Sequence, residues 1–468
     1  MMQSNRFMKP GYGVLLAGAV IAIAVAGCGG DDDTCDAAAQ TGCSDGQVCE
    51  LVVDGEPACF APLVLRGSVT DLADDSAVEA ARVVALDANG AAVSSVALSD
   101  ADGEYELAIP STRQSDGTPV ALELTLRVAA SGYQTFPSGL RQALPVDTGT
   151  ATVDGERRVV QSALTDVGLL AMPDGSGTGS ISGVIETPDD PVGILVVATS
   201  GGEGFSGIAN RDGEYRIFNL PAGDYDVDVY ARGLSYDAGN LTLGDGEDAE
   251  VNLGLSSVAT GIVAGDVQIV NAPGGSVTSV VLVVESTFDE LLARGQTVPG
   301  LRAPEPGVAA NIEGAYSIEG VPAGRYVVLA AFENDRLVRD PDLSIGGTSI
   351  LHIEVTPGQT TTVAGFKVTE ALEIFGPGAR DPEAVSGQVT FSWNDDSSED
   401  QYLVEVFDAF GERIWDQTMD GVSGADPTMD YAGPPLEAGM FYQFRVTSSK
   451  DGTPISRTED LAGVFFLP

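Results

Sequence analysis

The sequence has very little positive charge. Its 468 residues include 23 lysines and arginines against 69 aspartates and glutamates, which gives a formal net charge of −46 at pH 7. Only three of the basic residues are lysines, namely Lys9, Lys367 and Lys450. Such an acidic surface repels phosphate backbones and anionic lipid headgroups, so the composition excludes a role in binding nucleic acid. We expect the acidic excess to serve solubility.

Histidine is nearly absent as well, because His352 is the only one in the chain. It lies in the alternating stretch 350–355, so we expect it on the solvent side of a strand. One histidine cannot build a two-histidine zinc site, and the sequence has no G-x-S-x-G, P-loop or H-E-x-x-H motif. A glycosidase needs only two carboxylates, so that class stays open. We expect a protein that is not an enzyme and uses no cofactor.

The N-terminal apolar run, residues 14–26, follows Arg6 and Lys9 and is too short to span a membrane. Its length favours a signal peptide at 1–27, with an uncleaved signal anchor as the alternative. Residues 25–28 read Val-Ala-Gly-Cys, which resembles the lipobox of bacterial lipoproteins. The resemblance implies that Cys28 carries the lipid and anchors the chain to the cell envelope. In enteric bacteria, an aspartate directly after the lipidated cysteine resembles a signal that retains the lipoprotein at the inner membrane. Here Gly29 follows Cys28, and the absence of that aspartate favours the outer membrane.

The chain has five cysteines, and the four after Cys28 lie within twenty-five residues. An even number just after an export signal predicts two disulfides, for which three connectivities exist. A zinc site is the alternative, although the segment has neither a nearby histidine nor a C-x-x-C pair. Resemblance to small growth-factor-like knots implies the pairing Cys35–Cys49 and Cys43–Cys59.

A strand-turn-strand phrase recurs in the middle of the chain. Residues 210–229 read N-R-D-G-E-Y-R-I-F-N-L-P-A-G-D-Y-D-V-D-V, and residues 311–328 read N-I-E-G-A-Y-S-I-E-G-V-P-A-G-R-Y-V-V. A shorter copy, D-A-D-G-E-Y-E-L, occupies 100–107 and lacks the Pro-Ala-Gly half. Alternating Tyr, Ile and Val with Gly turns are typical of half-buried strands. The phrase resembles the carboxypeptidase regulatory-like, or transthyretin-like, β-sandwich, which implies three such modules.

The last hundred residues have a different pattern. Leu436, Gly439, Tyr442 and the Arg-Val pair after it resemble the L-x-x-G-x-x-Y-x-x-R-V of fibronectin type III domains. The resemblance implies a tyrosine corner at Tyr442 and a core position for Trp393. The predicted fold class is all-β, with tandem sandwiches after the signal peptide and a small disulfide-linked segment. The predicted domains are a signal peptide at 1–27, a lipidated tether and disulfide knot at 28–60, module 1 at 61–172, module 2 at 179–257, module 3 at 258–370 and module 4 at 371–468.

Module 3 contains extra sequence, residues 285–307, which we call the 285–307 segment. Module 2 closes the corresponding interval without it, so we expect the sandwich not to need it. Ser286-Thr-Phe-Asp is typical of a capping box and predicts a short helix over 288–294, followed by a Pro/Gly loop over 298–307. A long insertion is often functional, and the alternative is that the helix packs on its own domain. The candidate binding residues here are the apolar stripe Phe288, Leu291 and Leu292 and the cations Arg294 and Arg302.

Two further surface features are candidates. Asp224, Asp226 and Asp228 alternate along one strand face and are the best carboxylates for calcium, although a solvated outer face with Tyr225 and its neighbours inward is the simpler interpretation. We therefore predict no metal. Trp415 is the better exposed of the two tryptophans for stacking on a sugar ring, with core packing as the alternative.

The sequence predicts a non-enzymatic, lipid-anchored protein of the cell envelope, at the outer membrane or cell surface. Its expected partners are the membrane, through the lipid, and a polysaccharide or an envelope protein, but no nucleic acid. The alternatives are a structural spacer and an accessory subunit of a surface enzyme or transporter. In each case we expect the modules to stack and to project module 4 as a tip.

Overall fold

The computed structural model describes residues 35–37, 40–173, 178–188, 190–270, 279–290, 292–304, 314–330, 337–339, 349–396 and 398–468. The predicted signal peptide and Cys28 lie outside these ranges. The described residues form strands and two short 3₁₀ turns, Thr148–Thr150 and Glu285–Thr287, so the all-β prediction is confirmed. None of the described residues belongs to a helix with the length and apolar character needed to cross a bilayer.

The disulfide knot forms with the predicted connectivity. Cys35 bonds to Cys49 and Cys43 bonds to Cys59. Strands β1 (Val48–Glu50) and β2 (Ala58–Phe60) pair antiparallel and place Cys49 opposite Cys59. The zinc alternative is wrong, because the sulfurs that it requires are engaged in disulfides.

Module 1 is a sandwich of two sheets. Its strands are β3 (Leu63–Asp71), β4 (Arg82–Leu86), β5 (Ala97–Leu98), β6 (Glu104–Ile109), β7 (Glu123–Ala129), β8 (Val146–Asp147), β9 (Thr152–Asp154), β10 (Arg157–Val160) and β11 (Val167–Leu169). One sheet has the order β11-β3-β10-β9, with β6 paired to β3, and the other has the order β5-β4-β7-β8. Alternate residues of β6 point into the core, as the period-two pattern predicts.

Module 2 repeats this plan with fewer strands. They are β12 (Gly179–Val184), β13 (Leu195–Ser200), β14 (Glu203–Ile208), β15 (Glu214–Leu220), β16 (Gly223–Tyr230), β17 (Gly239–Leu243) and β18 (Asp248–Glu250). The sheets have the orders β15-β12-β18 and β14-β13-β16-β17. Strand β14 is thus the edge partner of β13.

Module 3 has the same two-sheet arrangement. Its strands are β19 (Gly261–Val270), β20 (Val280–Val284), β21 (Thr297–Ala303), β22 (Gly314–Val321), β23 (Gly324–Ala330), β24 (Leu337–Arg339), β25 (Leu351–Val355), β26 (Thr360–Thr362) and β27 (Phe366–Glu370). The sheets have the orders β22-β19-β27-β24, with β26 paired to β19, and β21-β20-β23-β25. Strand β21 occupies the edge position that β14 occupies in module 2.

Module 4 has one small and one large sheet. Its strands are β28 (Ile374–Gly376), β29 (Glu383–Ala384), β30 (Thr390–Trp393), β31 (Gln401–Asp408), β32 (Arg413–Asp420), β33 (Thr428–Asp430), β34 (Phe441–Lys450), β35 (Thr453–Arg457) and β36 (Val464–Phe466). The sheets have the orders β28-β30-β33 and β29-β36-β34-β31-β32, with β35 paired to β34. Trp393 is fully buried, as predicted. The Tyr442 hydroxyl accepts a 2.8 Å hydrogen bond from the Glu437 amide, the contact expected of a tyrosine corner.

The repeated phrase is built on hydrogen bonds from tyrosine. The hydroxyls of Tyr225 and Tyr326 donate to the carbonyl oxygens of Pro221 and Pro322, at 2.8 and 2.9 Å. Each bond spans the Pro-Ala-Gly-x-Tyr turn and ties the two strands that it joins. The spacing therefore has a physical cause, since another spacing would leave a buried hydroxyl without a partner.

The first turn of the phrase uses its leading polar side chain. Oδ1 of Asp100 accepts hydrogen bonds from the amides of Asp102 and Glu104, each at 2.9 Å. Oδ1 of Asn210 accepts equivalent bonds from the amides two and four residues ahead, at 3.0 and 2.9 Å. Gly103 supplies the φ of +78° that this turn requires. These segments are turns, as the sequence predicted, and the structure shows that each is capped by a side chain.

Modules 1, 2 and 4 each have a hydrophobic core of their own, and a further cluster of buried residues bridges modules 1, 2 and 3. One continuous cluster of buried residues joins β4 of module 1, β13 of module 2 and β20 of module 3, so that Leu86, Val197 and Leu282 belong to the same core. Tyr230 and Tyr326 meet edge to face across the junction of modules 2 and 3, with ring centroids 5.9 Å apart. A sheet that is buried on both faces has apolar residues on both faces. Here one face packs within its own module and the other face packs against a neighbouring module.

Module 4 folds back onto module 1. Phe407 and Ala409, which flank the end of β31, belong to the hydrophobic core of module 1. Arg141 donates through Nη2 to the carbonyl oxygen of Phe410 at 2.7 Å, and the Gln142 amide donates to Gly411 at 3.1 Å. The expected stack with module 4 as a projecting tip is therefore wrong for the described residues. The apolar residues at the C-terminal end of β31 are buried against module 1.

Candidate functional site

The 285–307 segment does not form the predicted helix in its described part. Residues Glu285–Thr287 make a single 3₁₀ turn, and backbone hydrogen bonds of 2.9 and 3.3 Å then close a loop between Asp289 and Arg294. The chain continues as β21, where a Pro/Gly loop was predicted. A seven-residue helix is marginal by itself, and the pairing of β20 with β21 fixes a hairpin in its place. The view that the sandwich does not need this segment is also wrong, because β21 is an edge strand of its sheet.

The predicted apolar stripe is not a helical face. Phe288 packs against Val281, Val327 and their neighbours and meets the His352 ring edge to face, with centroids 6.3 Å apart. Leu292 lies in a different place, on the wall of the cleft described below. Leu291 lies outside the described residues.

The two cations of the segment reach module 1. Nη2 of Arg294 donates to the carbonyl oxygens of Gly139 and Arg141, the second at 3.2 Å. Nη1 of Arg302 lies 3.9 Å from Oδ2 of Asp87. The predicted alternative, that the segment packs on its own domain, is therefore half right, since its arginines dock onto a neighbouring module.

A cleft of about 360 Å³ lies where modules 1, 3 and 4 meet. Module 1 contributes the turn 86–90, Thr125, Arg127 and the loop 137–143, and module 4 contributes Asp460 and Leu461. Module 3 contributes part of 287–297 and an apolar wall of Val281, Val283, Leu329 and Ala330. The described lining contains no aromatic side chain. The cleft therefore offers hydrogen bonds and charge, and no ring on which a sugar would stack.

Arg127 is the unusual residue of this cleft. Its side chain is on the face of β7 opposite Leu124 and Leu126, and only 6% of the residue is exposed. Nη2 donates to the carbonyl oxygen and the hydroxyl of Ser206, at 2.9 and 3.1 Å, while Nε has no hydrogen-bond partner among the described residues. Burial, with a smaller effect of the neighbouring Arg82, lowers the pKa of Arg127 to about 10. In the described part of the chain, Arg127 forms no ion pair with a carboxylate.

The acidic residues of the lining are Asp87, Asp289 and Asp460, and each interacts with other groups. Asp289 accepts a 3.2 Å hydrogen bond from the Leu292 amide. Asp87 accepts hydrogen bonds from the amides of Asn89 and Ala91, at 2.9 and 3.0 Å, and burial raises its pKa. Asp460 forms an ion pair with Arg445. Burial and the nearby Arg457 lower the pKa of Arg445 to about 9. These carboxylates therefore do not neutralise Arg127.

Trp415 lies outside the cleft. It is half-buried on β32, where its ring contacts Tyr431 at 5.1 Å and Phe391 at 6.1 Å between centroids. The core-packing alternative describes it better than the exposed platform that sugar stacking requires.

The aspartates of β16 share one face, with Tyr225 and Val227 buried on the other. Asp224 accepts a 2.6 Å hydrogen bond from Thr242, and burial, with a smaller effect of Asp226, raises the pKa of Asp228. Within the described ranges, the one trio of potential ligands whose atoms lie within 4.8 Å of one another is Cys35, Cys43 and Cys49, which form disulfides. The aspartates thus do not converge on a point where a cation would sit.

His352 lies on the outer side of β25, 37% exposed in its side chain. Its Nδ1 is 2.7 Å from Oε1 of Glu285, which also contacts Arg325. Sequence reasoning placed His352 correctly but missed its partner, because Glu285 precedes it by 67 residues. His352 is not among the residues of the cleft.

The chain matches no protein-family model and no curated protein. Among solved structures, a DUF3823 family protein from Bacteroides uniformis is 15% identical, with 45% of this chain and 100% of that chain covered and a TM-score of 0.21. GBS52, the minor pilin of Streptococcus agalactiae, is 14% identical with the same coverage and a TM-score of 0.18. BcpA, the major pilin of Bacillus cereus, is 12% identical, with 66% and 98% covered and a TM-score of 0.16. Scores this low carry no argument about function.

Proposed function

We propose that this protein is a non-enzymatic, lipid-anchored binding protein of the cell envelope, and that the cleft between modules 1, 3 and 4 binds one unit of a surface polysaccharide. The observation that carries the proposal is the cleft itself. Its volume of about 360 Å³ falls in the range of small-ligand pockets. Its walls come from three modules, so the site exists only in the assembled chain.

The shape of the site favours a saccharide unit over a protein partner. A protein interface is usually broad, at about 800 Å² per partner, whereas this site is concave and narrow. Its polar lining supplies hydrogen-bond donors and acceptors such as Thr125, Ser138 and Gln142. Sugar hydroxyls are recognised by such groups, and the site does this without a stacking platform.

The anchor supports a surface role. Cys28 at the end of the lipobox-like sequence would attach the chain to a membrane, with the spacer 29–33 and the disulfide knot between the lipid and module 1. This localisation rests on the sequence alone.

Two features support the absence of catalysis. The one histidine is engaged with Glu285 outside the cleft. The acidic residues Asp87 and Asp460 in the cleft are held by amides and by Arg445. Although burial raises the pKa of Asp87, its carboxylate is bonded to backbone amides, and that of Asp460 is paired with Arg445, so the two do not form the acid and base pair that glycoside hydrolysis requires.

The spacer alternative fits the packing less well. A spacer gains length when its modules join end to end, but here module 4 returns to module 1 and three modules share one core. An accessory-subunit role is compatible with the same cleft, because a subunit that presents a saccharide to an enzyme must also bind it.

The test compares two substitutions that each add a tryptophan. Ala88→Trp fills the cleft, and Val153→Trp adds the same side chain on the edge strand β9, where Val153 is 71% exposed. Full-length protein in detergent micelles is applied to an array of envelope polysaccharides. We expect wild type and Val153→Trp to bind the same glycans and Ala88→Trp to lose them with an unchanged melting temperature. Wild type that binds no glycan, or Ala88→Trp that binds as wild type does, would overturn the proposal.

A further inference from the structure

We propose that the cleft takes an anionic ligand group, a carboxylate or a phosphate, which pairs with Arg127. This inference rests on the proposed function and deepens it, since it names the chemical class of the saccharide as acidic. Nothing in the overall charge of −46 would suggest an anion site. The local structure does.

The first argument is the cost of burying a lone charge. Moving a guanidinium out of water is unfavourable unless an opposite charge or a full set of hydrogen bonds replaces the solvent. Arg127 is 6% exposed, bonds only to neutral groups of Ser206 and leaves Nε without a partner among the described residues. With 69 carboxylates in the chain, an acidic partner would have been easy to supply. The three aspartates that line the cleft, Asp87, Asp289 and Asp460, form no ion pair with Arg127 among the described residues, so an anion from outside would supply the missing partner.

A second, independent observation points to the same ligand. Oγ of Ser138, on the opposite loop of the cleft, is also buried and has no hydrogen-bond partner among the described residues. Buried hydroxyls are normally satisfied. A hydroxyl and a guanidinium that line one cleft are a suitable donor pair for an oxyanion with two or more oxygens.

A third feature is the second arginine of the lining. Arg294 comes from module 3 and is fixed by the carbonyl oxygens of Gly139 and Arg141. Burial lowers its pKa, and the negative charge of Asp289 opposes that effect. The cleft is therefore lined by arginines from two modules, each held in place by neutral protein groups, together with Asp87, Asp289 and Asp460.

The side-chain chemistry of Arg127 favours an oxyanion as the ligand group. A planar guanidinium pairs with carboxylate and phosphate oxygens through directed hydrogen bonds. A cleft of about 360 Å³ accommodates a single charged sugar residue, such as a uronic acid or a sugar phosphate, better than a long charged chain. Because the rest of the surface is acidic, an anion elsewhere on the protein would be repelled, so binding is confined to this point.

The experiment measures the affinities of three probes for full-length protein in detergent at constant ionic strength. The probes are D-galacturonate, inorganic phosphate and neutral D-galactose, and the readouts are melting temperature and calorimetry. Wild type is compared with Arg127→Met, which removes the charge at similar length, and with Arg66→Met. Arg66 is the matched control because it is a half-exposed arginine of the same module that pairs with Glu106 and Asp154.

We expect galacturonate or phosphate to raise the melting temperature of wild type and of Arg66→Met, and the more effective of the two identifies the anion as carboxylate or phosphate. Galactose should bind at least tenfold more weakly, and Arg127→Met should lose tenfold or more in affinity for the anion, the usual effect of one charged hydrogen bond. Without ligand, Arg127→Met should melt no lower than wild type, because an unpaired buried charge has been removed. If it does not fold, Ser138→Ala serves as the second variant, with several-fold weaker anion binding.

Three results would overturn the inference: equal binding of galactose and galacturonate, no binding of either anion, or unchanged anion affinity in Arg127→Met. The Ala88→Trp variant tests the proposed function independently of the anion probes. If neutral sugars bind wild type but not Ala88→Trp, and the anions have no effect, the cleft is still the binding site. The inference that its ligand is anionic would then be refuted. No binding by any probe or polysaccharide would refute both.

Discussion

Glu50 and Arg113 form an ion pair whose side chains are only 2% and 4% exposed. Oε1 of Glu50 also accepts a 2.9 Å hydrogen bond from the Ser111 amide, and Nη2 of Arg113 donates to the carbonyl oxygen of Ala61 at 2.9 Å. The guanidinium lies over the Phe60 ring, 4.7 Å from its centroid. The pair thus fastens the disulfide knot to module 1, so that the knot continues the rigid body instead of acting as a flexible tether.

Removing one partner of this pair should destabilise module 1 strongly. Glu50→Gln or Arg113→Met leaves a buried charge without its partner, which typically costs about 3–5 kcal/mol. The double variant Glu50→Gln/Arg113→Met should cost less than the sum of the single changes, because both charges are gone. Urea unfolding of the four proteins gives the coupling energy. Additive single and double effects would contradict a coupled, buried pair.

Gly183 opens module 2 beneath the Tyr215 hydroxyl, which donates to the carbonyl oxygen of Val251 at 2.7 Å. A Cβ on Gly183 would lie 1.9 Å from that oxygen, so Gly183→Ala should displace the strand that carries it and cost about 1–3 kcal/mol. Gly254→Ala is the matched control, since its Cβ would meet nothing nearer than 3.8 Å. Thermal unfolding should show the first variant destabilised and the second unchanged. Equal melting temperatures would show that the opening glycine is not a steric requirement.

Glu285 makes the stability of module 3 depend on pH. The hydrogen bonds from Arg325, and to a lesser degree from His352, hold the pKa of Glu285 below the ordinary range of a glutamate. A lowered pKa adds stability that is present at neutral pH and is lost as pH falls through the lowered pKa, below about 4.3. Glu285→Gln should therefore lower the urea midpoint at neutral pH and should approach wild type as the pH falls to about 3. Glu104→Gln, an exposed acid of module 1, is the control. A difference from wild type that stays constant with pH would refute the coupling.

Membrane attachment depends on Cys28 in this account. Cys28→Ser should move the protein from the membrane fraction to the soluble fraction of cells, while the four remaining cysteines stay in disulfides. Thiol titration of the denatured, unreduced variant should find no free thiol. An unchanged membrane fraction would show that the apolar segment stays as an anchor.

Local chemistry made much of this fold predictable. The tyrosine bonds to Pro221 and Pro322 and the capped turn at Asp100 are written in short sequence phrases, so the strands and turns follow from them. The disulfide pairing and the buried Trp393 were also predicted correctly. These features depend on residues close in sequence or on one strongly apolar side chain.

The arrangement of the modules was not predictable in the same way. The apolar run 280–284 indicates a strand buried on both faces, but it does not say which element covers the second face. The helix expected over 288–294 was wrong because pairing of β20 with β21 outweighs a weak local preference. Leu124 and Leu126 face the core of module 1, so the alternation along β7 predicts that Arg127 faces outward. The docking of modules 2, 3 and 4 on that outer face buries its charge.

Hydrogen–deuterium exchange of the full-length protein with a bound polysaccharide tests the central claim, that one cleft shared by three modules is the binding site. We predict that the ligand slows exchange together in the segments 86–90, 137–143 and 287–297, which come from modules 1 and 3, and at residues 460–461 of module 4. Protection confined to β32 around Trp415, or to the aspartates of β16, would place the site on a single module and contradict the account.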